Sequence, residues 1–165
     1  MLFETERLLV RRLTHEDAEA MFAIYGDPEA SIYIADGDPL PLEDCHRWVD
    51  VTDRNFAVRG YGMVAFADKA TGEVIGCGGI VHPNQQPEPE VKYAFRRDKW
   101  GQGYASEAIR GLIEFGKANW GIGRLIATVH LDNRGSQNVL TKLGFQLTET
   151  RTEEDGSHTQ VWELN

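Results

Sequence analysis

Cysteine is scarce in this chain. Cys45 and Cys77 are the only two in 165 residues, and they lie in unrelated contexts. No disulfide framework is indicated, and both read as reduced thiols of a cytoplasmic protein. No apolar run approaches the length that spans a bilayer, so no membrane association is expected. The first seven residues hold neither a basic region nor a long apolar one, and do not read as a signal peptide. His15, His46, His82, His130 and His158 show no spacing that suits a metal, so none is expected. A Gly-x-Ser-x-Gly elbow is absent, which argues against a serine hydrolase. Positive charge is in deficit too: 17 Lys and Arg stand against 26 Asp and Glu, a net charge of −9. Nucleic-acid binding usually wants a basic face and is not expected. The balance suits a cationic acceptor such as an amine, although solubility alone also accounts for it.

What remains is an ordinary globular composition, 41% apolar and 26% charged. The length suits one sizeable core, so residues 1–165 are read as a single domain. There are no internal repeats, linkers or low-complexity tracts. Patterning predicts a strand at 7–13 and a helix at 15–25, with Thr14 as N-cap and Asp17 three positions on. A loop is expected at 36–41 and a second helix at 42–58, stopped by Gly60. Residues 63–67 and 74–81 read as antiparallel strands. A polar loop at 82–89 precedes a strand at 91–95. Further strands are expected at 125–130, 145–150 and 160–164, with a hairpin signal at Asp155-Gly156. The fold class is therefore α/β, with strands and helices interleaved.

The most informative segment is Trp100-Gly101-Gln102-Gly103-Tyr104-Ala105-Ser106-Glu107. It follows a strand and opens an amphipathic helix whose buried face is Ala105, Ala108, Ile109, Leu112, Ile113 and Gly116. A glycine-rich turn at a helix N-terminus presents free backbone N–H groups and the positive end of the helix dipole, which suits a phosphate. The P-loop pattern Gly-x-x-x-x-Gly-Lys-Ser/Thr is absent. A dinucleotide fingerprint lacks its third glycine, since Ser106 stands there, and no acid occurs in 121–128. A purely structural turn before a core helix stays open at this point.

Gly103-Tyr104-Ala105 resembles the end of the coenzyme A pyrophosphate motif, Arg/Gln-x-x-Gly-x-Gly/Ala, of the Gcn5-related N-acetyltransferases (GNAT). Trp100 stands where Arg or Gln is usual, as in the RimJ/RimL-like branch. A second stretch, Asn133-Arg134-Gly135-Ser136-Gln137-Asn138-Val139-Leu140-Thr141-Lys142-Leu143-Gly144-Phe145, is similar to the family's other cofactor element. There Asn133 also reads as an N-cap and Gly144 as a C′ residue. Thr5-Glu6-Arg7-Leu8-Leu9-Val10-Arg11-Arg12-Leu13 resembles the start of a RimJ/RimL-like chain. The resemblance implies a mixed, mostly antiparallel sheet of about seven strands, splayed at the cofactor site and flanked by about four helices.

It also implies acetyl-CoA as cosubstrate. Its arm would meet the backbone of Tyr93, Ala94 and Phe95. Its pyrophosphate would meet amides of the segment Trp100, Gly101, Gln102, Gly103, Tyr104, Ala105 and Ser106, and Asn133 would meet the arm from the other side. Arg96, Arg97, Lys99 and Arg134 are nearby in sequence and are read either as phosphate neighbours or as solvated charges. The chemistry implied is direct attack of a primary amine on the thioester, which requires a base near working pH. Glu90 is the candidate, directly or through a water. Ser136 is the candidate for a hydrogen bond to the departing sulfur, and a backbone N–H near Phe95 for the oxygen that gains charge. Tyr33 and Tyr104 are candidates for the acceptor pocket. Acids at Asp36, Asp38, Glu88, Glu153, Glu154 and Asp155 would suit an ammonium, as would any solvated loop. The acceptor is expected to be a small-molecule amine or a protein N-terminus, and the chain a monomer or homodimer. A non-catalytic acyl-CoA sensor of the same fold, and a dehydrogenase, are the competing functions.

Overall fold

A computed structural model describes residues 1–32 and 38–165. Eight strands are present among the described residues: β1 (Phe3–Glu4), β2 (Leu8–Arg12), β3 (Met63–Asp68), β4 (Val74–Val81), β5 (Glu90–Phe95), β6 (Leu125–His130), β7 (Gln146–Thr152) and β8 (His158–Leu164). Five α-helices accompany them: α1 (Ala18–Tyr25), α2 (Pro28–Ser31), α3 (Leu42–Arg59), α4 (Tyr104–Asn119) and α5 (Arg134–Lys142). The strands form one sheet in the order β1-β2-β3-β4-β5-β6-β8-β7. Every neighbouring pair is antiparallel except β5–β6, which is parallel. The mixed, mostly antiparallel α/β architecture is the one expected. The additional strand and helix are the two-residue β1 and the single-turn α2, both too short to give a periodic signal.

The period-2 alternation of the strands separates two cores. In β3, Val64 and Phe66 face the layer that holds Ala108, Ile109 and Leu112 of α4 and Leu140 of α5. Ala65 and Ala67 face the other layer, with Met21, Ile24 and Tyr25 of α1 and Cys45 and Val49 of α3. Fully burying a side chain such as Leu112 or Ile109 contributes roughly 1.5–3 kcal/mol, so α4 is tied to the sheet chiefly by its apolar stripe. Cys45 and Cys77 are both free and buried. Among the described residues, no helix is long and apolar enough to cross a membrane.

The Thr14/Asp17 signal starts a single 3-10 turn, His15–Asp17, which leads into α1. Asp17 accepts the Thr14 N–H at 2.8 Å and a fork of two bonds from Arg11 at 2.8 and 2.9 Å. That second partner, on β2, ties the helix start to the sheet. Of the expected loop at 36–41, Asp36 and Gly37 lie outside the described residues, as does Tyr33.

The central strand β4 reads Val-Ile-Gly-Cys-Gly-Gly-Ile-Val. Its glycines make room for aromatic rings. Phe66 and Phe95 stack at 5.4 Å with their planes 7° apart. A Cβ on Gly76 would lie 2.5 Å from the Phe95 ring. Gly76→Ala should therefore displace the end of β5 and cost about 1–3 kcal/mol, as overpacking does. Urea unfolding at equilibrium reads this directly, and a change below about 0.5 kcal/mol, the range of surface substitutions, would contradict the tight fit.

Candidate active site

The parallel pair β5–β6 is joined at one register position, Glu90 with Ile126. Ile126 N–H donates to Pro89 O at 3.0 Å. Past that point the two strands part. On β5, Arg96 N–H donates to Ile75 O at 2.8 Å, toward β4. Strand alternation then turns the N–H groups of Tyr93 and Phe95 the other way, into the gap. The Phe95 carbonyl is held by Trp100 Nε1 at 2.9 Å. Trp100 thus bolts the glycine-rich turn to the end of the strand.

A cavity of about 560 Å³ occupies the gap. Val91 and Tyr93 line it, and so does Lys92 between them. Ala127, Thr128 and Val129 do the same on β6. Successive strand residues point to opposite faces, so a cavity that touches all of them passes through the sheet. On one side it is bounded by Asn133 and Ser136, at the start of α5. On the other it runs along α3, where Trp48 and Asn55 line it, and past the loop at 82–85. Tyr25 and Trp48 meet edge-on at 5.0 Å and form its aromatic floor.

Glu90 is 2% exposed and sits behind this wall. Its carboxylate accepts Thr128 Oγ1 at 2.8 Å and Gln86 Nε2 at 3.2 Å, and pairs with Lys92 Nζ at 3.2 Å. Thr128 and Lys92 both reach the cavity, so Glu90 is linked to it through them. A second branch runs from Gln86 O to His82 Nδ1 at 2.9 Å, and from His82 Nε2 to Tyr61 Oη at 2.7 Å. With Nδ1 donating to a carbonyl, neutral His82 accepts from the Tyr61 hydroxyl.

Across the gap, Tyr93 Oη and Ser136 Oγ are 2.6 Å apart. Burial pushes the Tyr93 phenol up to about 12, against a smaller lowering by the Ser136 hydrogen bond. The phenol is therefore un-ionised at physiological pH, and either hydroxyl of the pair can donate. Asn133 accepts the Ser136 N–H at 3.2 Å and caps α5, as its position in the sequence predicts.

The glycine-rich turn lies outside the cavity, beyond the end of β5. Gly101 and Gly103 have φ of 73° and 83°, in the left-handed region that favours glycine. No side chain caps α4. Its first helical bond runs from Glu107 N–H to Gly103 O at 3.1 Å, which leaves the amides of Tyr104, Ala105 and Ser106 without an intrahelical partner. Nothing lies within 4 Å of a Cβ built on Gly101. The turn is braced from the far edge of the sheet. Arg7 Nε donates to Glu107 Oε1 at 2.7 Å and Arg7 Nη1 to Gln102 O at 3.0 Å, and the guanidinium lies 3.9 Å over the Tyr104 ring. In a trans peptide C=O and N–H point apart, so fixing Gln102 O turns the Gly103 N–H away from Arg7. Burial alone would raise the Glu107 carboxyl, but bonds from Thr5 and Arg7 hold it below its ordinary value.

Of the residues singled out in the sequence, Tyr93, Asn133 and Ser136 line the cavity. Ala94 and Phe95 are buried beside it, and the turn from Trp100 to Ser106 forms a separate element at the strand end. Tyr104 stacks 6.4 Å from Phe95 and packs with the turn; it does not line the cavity. Asp38, Glu88, Glu153, Glu154 and Asp155 are likewise absent from its described lining, which carries Arg47, Arg59 and Lys92 instead. Arg96 and Arg97 are engaged by acids, Arg96 with Asp98 at 2.6 Å and Arg97 with Asp27 at 3.1 Å. Sequence reasoning missed Arg7, Thr128, His82 and the Tyr93 hydroxyl. The adjacency of Thr5 and Arg7 gives no local sign, because their partner Glu107 is 100 residues from Arg7.

Residues 7–146 match the family described as the Acetyltransferase (GNAT) domain. The chain is 32% identical over 146 residues to an uncharacterized N-acetyltransferase, p20, of Bacillus licheniformis, covering 86% of this chain and 80% of that one. The crystal structure of an acetyltransferase from Agrobacterium tumefaciens superposes with a TM-score of 0.82 at 27% identity, covering 99% and 93% of the two chains. The fold is shared with RimL, a ribosomal L7/L12 alpha-N-protein acetyltransferase solved with coenzyme A, at a TM-score of 0.84 and 15% identity over 99% and 96%. A sheet that opens after one parallel contact, a braced glycine turn at its mouth and this match over most of the chain lead to one conclusion: the protein is an acetyltransferase and belongs to the GNAT family.

Proposed function

We propose that the chain transfers the acetyl group of acetyl-CoA to a primary amine by direct attack, as an N-acetyltransferase of the RimJ/RimL-like branch. The observation that carries this reading is the cavity that passes through the sheet where β5 and β6 part. It gives two reactants access from opposite faces. Acetyl-CoA suits the residues present: β5 offers an unpaired edge at Tyr93 and Phe95, and the amides of Gly101, Gln102, Gly103, Tyr104, Ala105 and Ser106 lie at an uncapped helix start. When bound, it supplies a thioester carbonyl. The acceptor is a small-molecule amine or a protein N-terminal amine, and the likeness to RimL leans toward the latter.

Glu90 is the candidate general base. An amine attacks only after losing its proton, and the Thr128 hydroxyl, hydrogen-bonded to Glu90 and facing the cavity, can pass that proton on in one step. The N–H of Phe95 serves the carbonyl oxygen as it gains charge. The C–S bond then breaks, and the departing thiolate accepts a hydrogen bond from the Ser136 hydroxyl, which is 2.6 Å from Tyr93 Oη, and later takes its proton from solvent. Asn133 orients Ser136 by accepting its N–H.

Glu90→Gln keeps the shape and most of the hydrogen bonds but removes the base. We expect kcat for acetylation of a reactive amine to fall about 10²–10⁴-fold, with affinity for acetyl-CoA retained. An unchanged kcat at all pH values would remove Glu90 from the mechanism. For Tyr93 the sign follows from its raised folded value. Below about pH 10 the phenol is protonated in both folded and unfolded chains. Above it the unfolded chain ionises first, so stability should decline toward pH 12. In urea unfolding across pH 9–12, Tyr93→Phe should flatten that decline. An identical slope in the variant would show that the phenol is not held neutral.

A further inference from the structure

The lining of the acceptor side of the cavity runs against the charge of the chain. The protein carries −9 overall, yet among the described residues the cavity wall has Arg47, Arg59 and Lys92 and no carboxylate. These three cations differ in what they already hold. Lys92 pairs with Glu90 at 3.2 Å, and Arg47 with Asp44 at 2.9 Å. Arg59 has no ion pair and no side-chain hydrogen bond among the described residues, and neither does its neighbour Asn55 a side-chain hydrogen bond. The two are four residues apart on α3 and so share one face, both at the cavity. Arg47 lies roughly 18 Å along the helix from Arg59 at 1.5 Å per residue. One small anion cannot meet both, which leaves Arg59 with Asn55 as the available pair.

The opposite lip is formed by Asn84 and Gln85, with φ of 54° and 61°. Two consecutive non-glycine residues in the left-handed region are costly, and such strain persists only where the surroundings fix it. Here Gln85 N–H to His82 O at 3.0 Å, Gln86 N–H to Pro83 O at 3.1 Å and the His82 ring fix it. The lip is thus a rigid polar edge at the cavity mouth. Trp48, Val51 and Met63 add an apolar part to the same lining.

Resting on the acetyl-transfer reading above, we infer that the acceptor is an amine that also carries an oxyanion, a carboxylate or a phosphate, received by Arg59 and Asn55 while its amine reaches Thr128. A guanidinium fork matches either group and holds it in a fixed orientation. A cationic wall also excludes acceptors that bear a second positive charge, such as polyamines.

Free-thiol release from acetyl-CoA tests this with matched amines: phenylalanine against phenethylamine, and O-phosphoethanolamine against ethanolamine. We expect kcat/KM to favour the oxyanion-bearing member of at least one pair by about tenfold or more, the scale of one charged hydrogen bond. Which pair responds tells carboxylate from phosphate. Arg59→Gln should abolish that preference by slowing the oxyanion-bearing member far more than the neutral one. Arg59→Lys should restore part of it, and Arg54→Gln, on the same helix but outside the cavity lining, should leave it intact. Equal rates within both pairs, or an Arg59→Gln variant that slows both members alike, would overturn the inference while acetyl transfer stands. If neither these amines nor peptides with a free N-terminal amine release thiol although acetyl-CoA binds, the acetyl-transfer reading fails and takes the inference with it.

Discussion

The single parallel contact between β5 and β6 is the constraint on which the rest depends. It fixes where an otherwise continuous sheet opens, and hence where backbone groups are left without a ladder partner. Such groups inside a protein must find another partner or face solvent or a ligand. The Phe95 carbonyl is satisfied by the Trp100 indole, and strand alternation turns the Tyr93 and Phe95 N–H groups toward the gap. At the apex of the opening, Glu90 spans the two strands through Thr128. Burying a carboxylate is costly unless it is paired and hydrogen-bonded, and Lys92, Gln86 and Thr128 supply what it needs. One side chain therefore closes the joint, and it is the one proposed as the base.

From that joint the molecule divides its tasks between the faces of the sheet. The face covered by α4 and α5 carries the braced turn, and the sheet's far edge helps to hold it through Arg7. The face covered by α1 and α3 carries the aromatic floor, the cations and the strained lip. Tyr93 and Ser136 belong to the face of α4 and α5. β5 serves both faces, because its alternating residues point to one face and then the other. This explains how a short strand can contribute Glu90, Lys92, Tyr93 and Phe95 to four different tasks.

The sequence made much of this legible where the physics is local. Helix caps at Asn133 and Thr14, the glycine turn before α4 and the alternation of β3 and β4 all report on neighbours a few residues away. The expected strands and helices followed, apart from β1 and α2, which are shorter than any period. What escaped notice depends on contacts between distant segments. Arg7 acquires its meaning only when Glu107 is brought beside it. Acids in the loops suggested an ammonium-binding mouth, but Asp38, Glu88 and Glu153 are not where the described cavity is lined; Arg59 and Lys92 are. A charge count sums the whole surface, whereas a site samples a few side chains chosen by the fold. The backbone strain at Asn84 and Gln85 has no sequence signature either, since neither residue is glycine.

The central claim is that the parting of β5 and β6, with its braced turn, is an acetyl-CoA site. Thermal unfolding with acetyl-CoA, free CoA and NADH in parallel tests it most directly. A ligand at a hundred times its dissociation constant adds about 2.7 kcal/mol of stability. The account predicts a clear rise in Tm with acetyl-CoA and with CoA, and none with NADH. No shift with acetyl-CoA would mean that the turn at Gly101 and Gly103 is only a structural link between β5 and α4, and would contradict the account at its base.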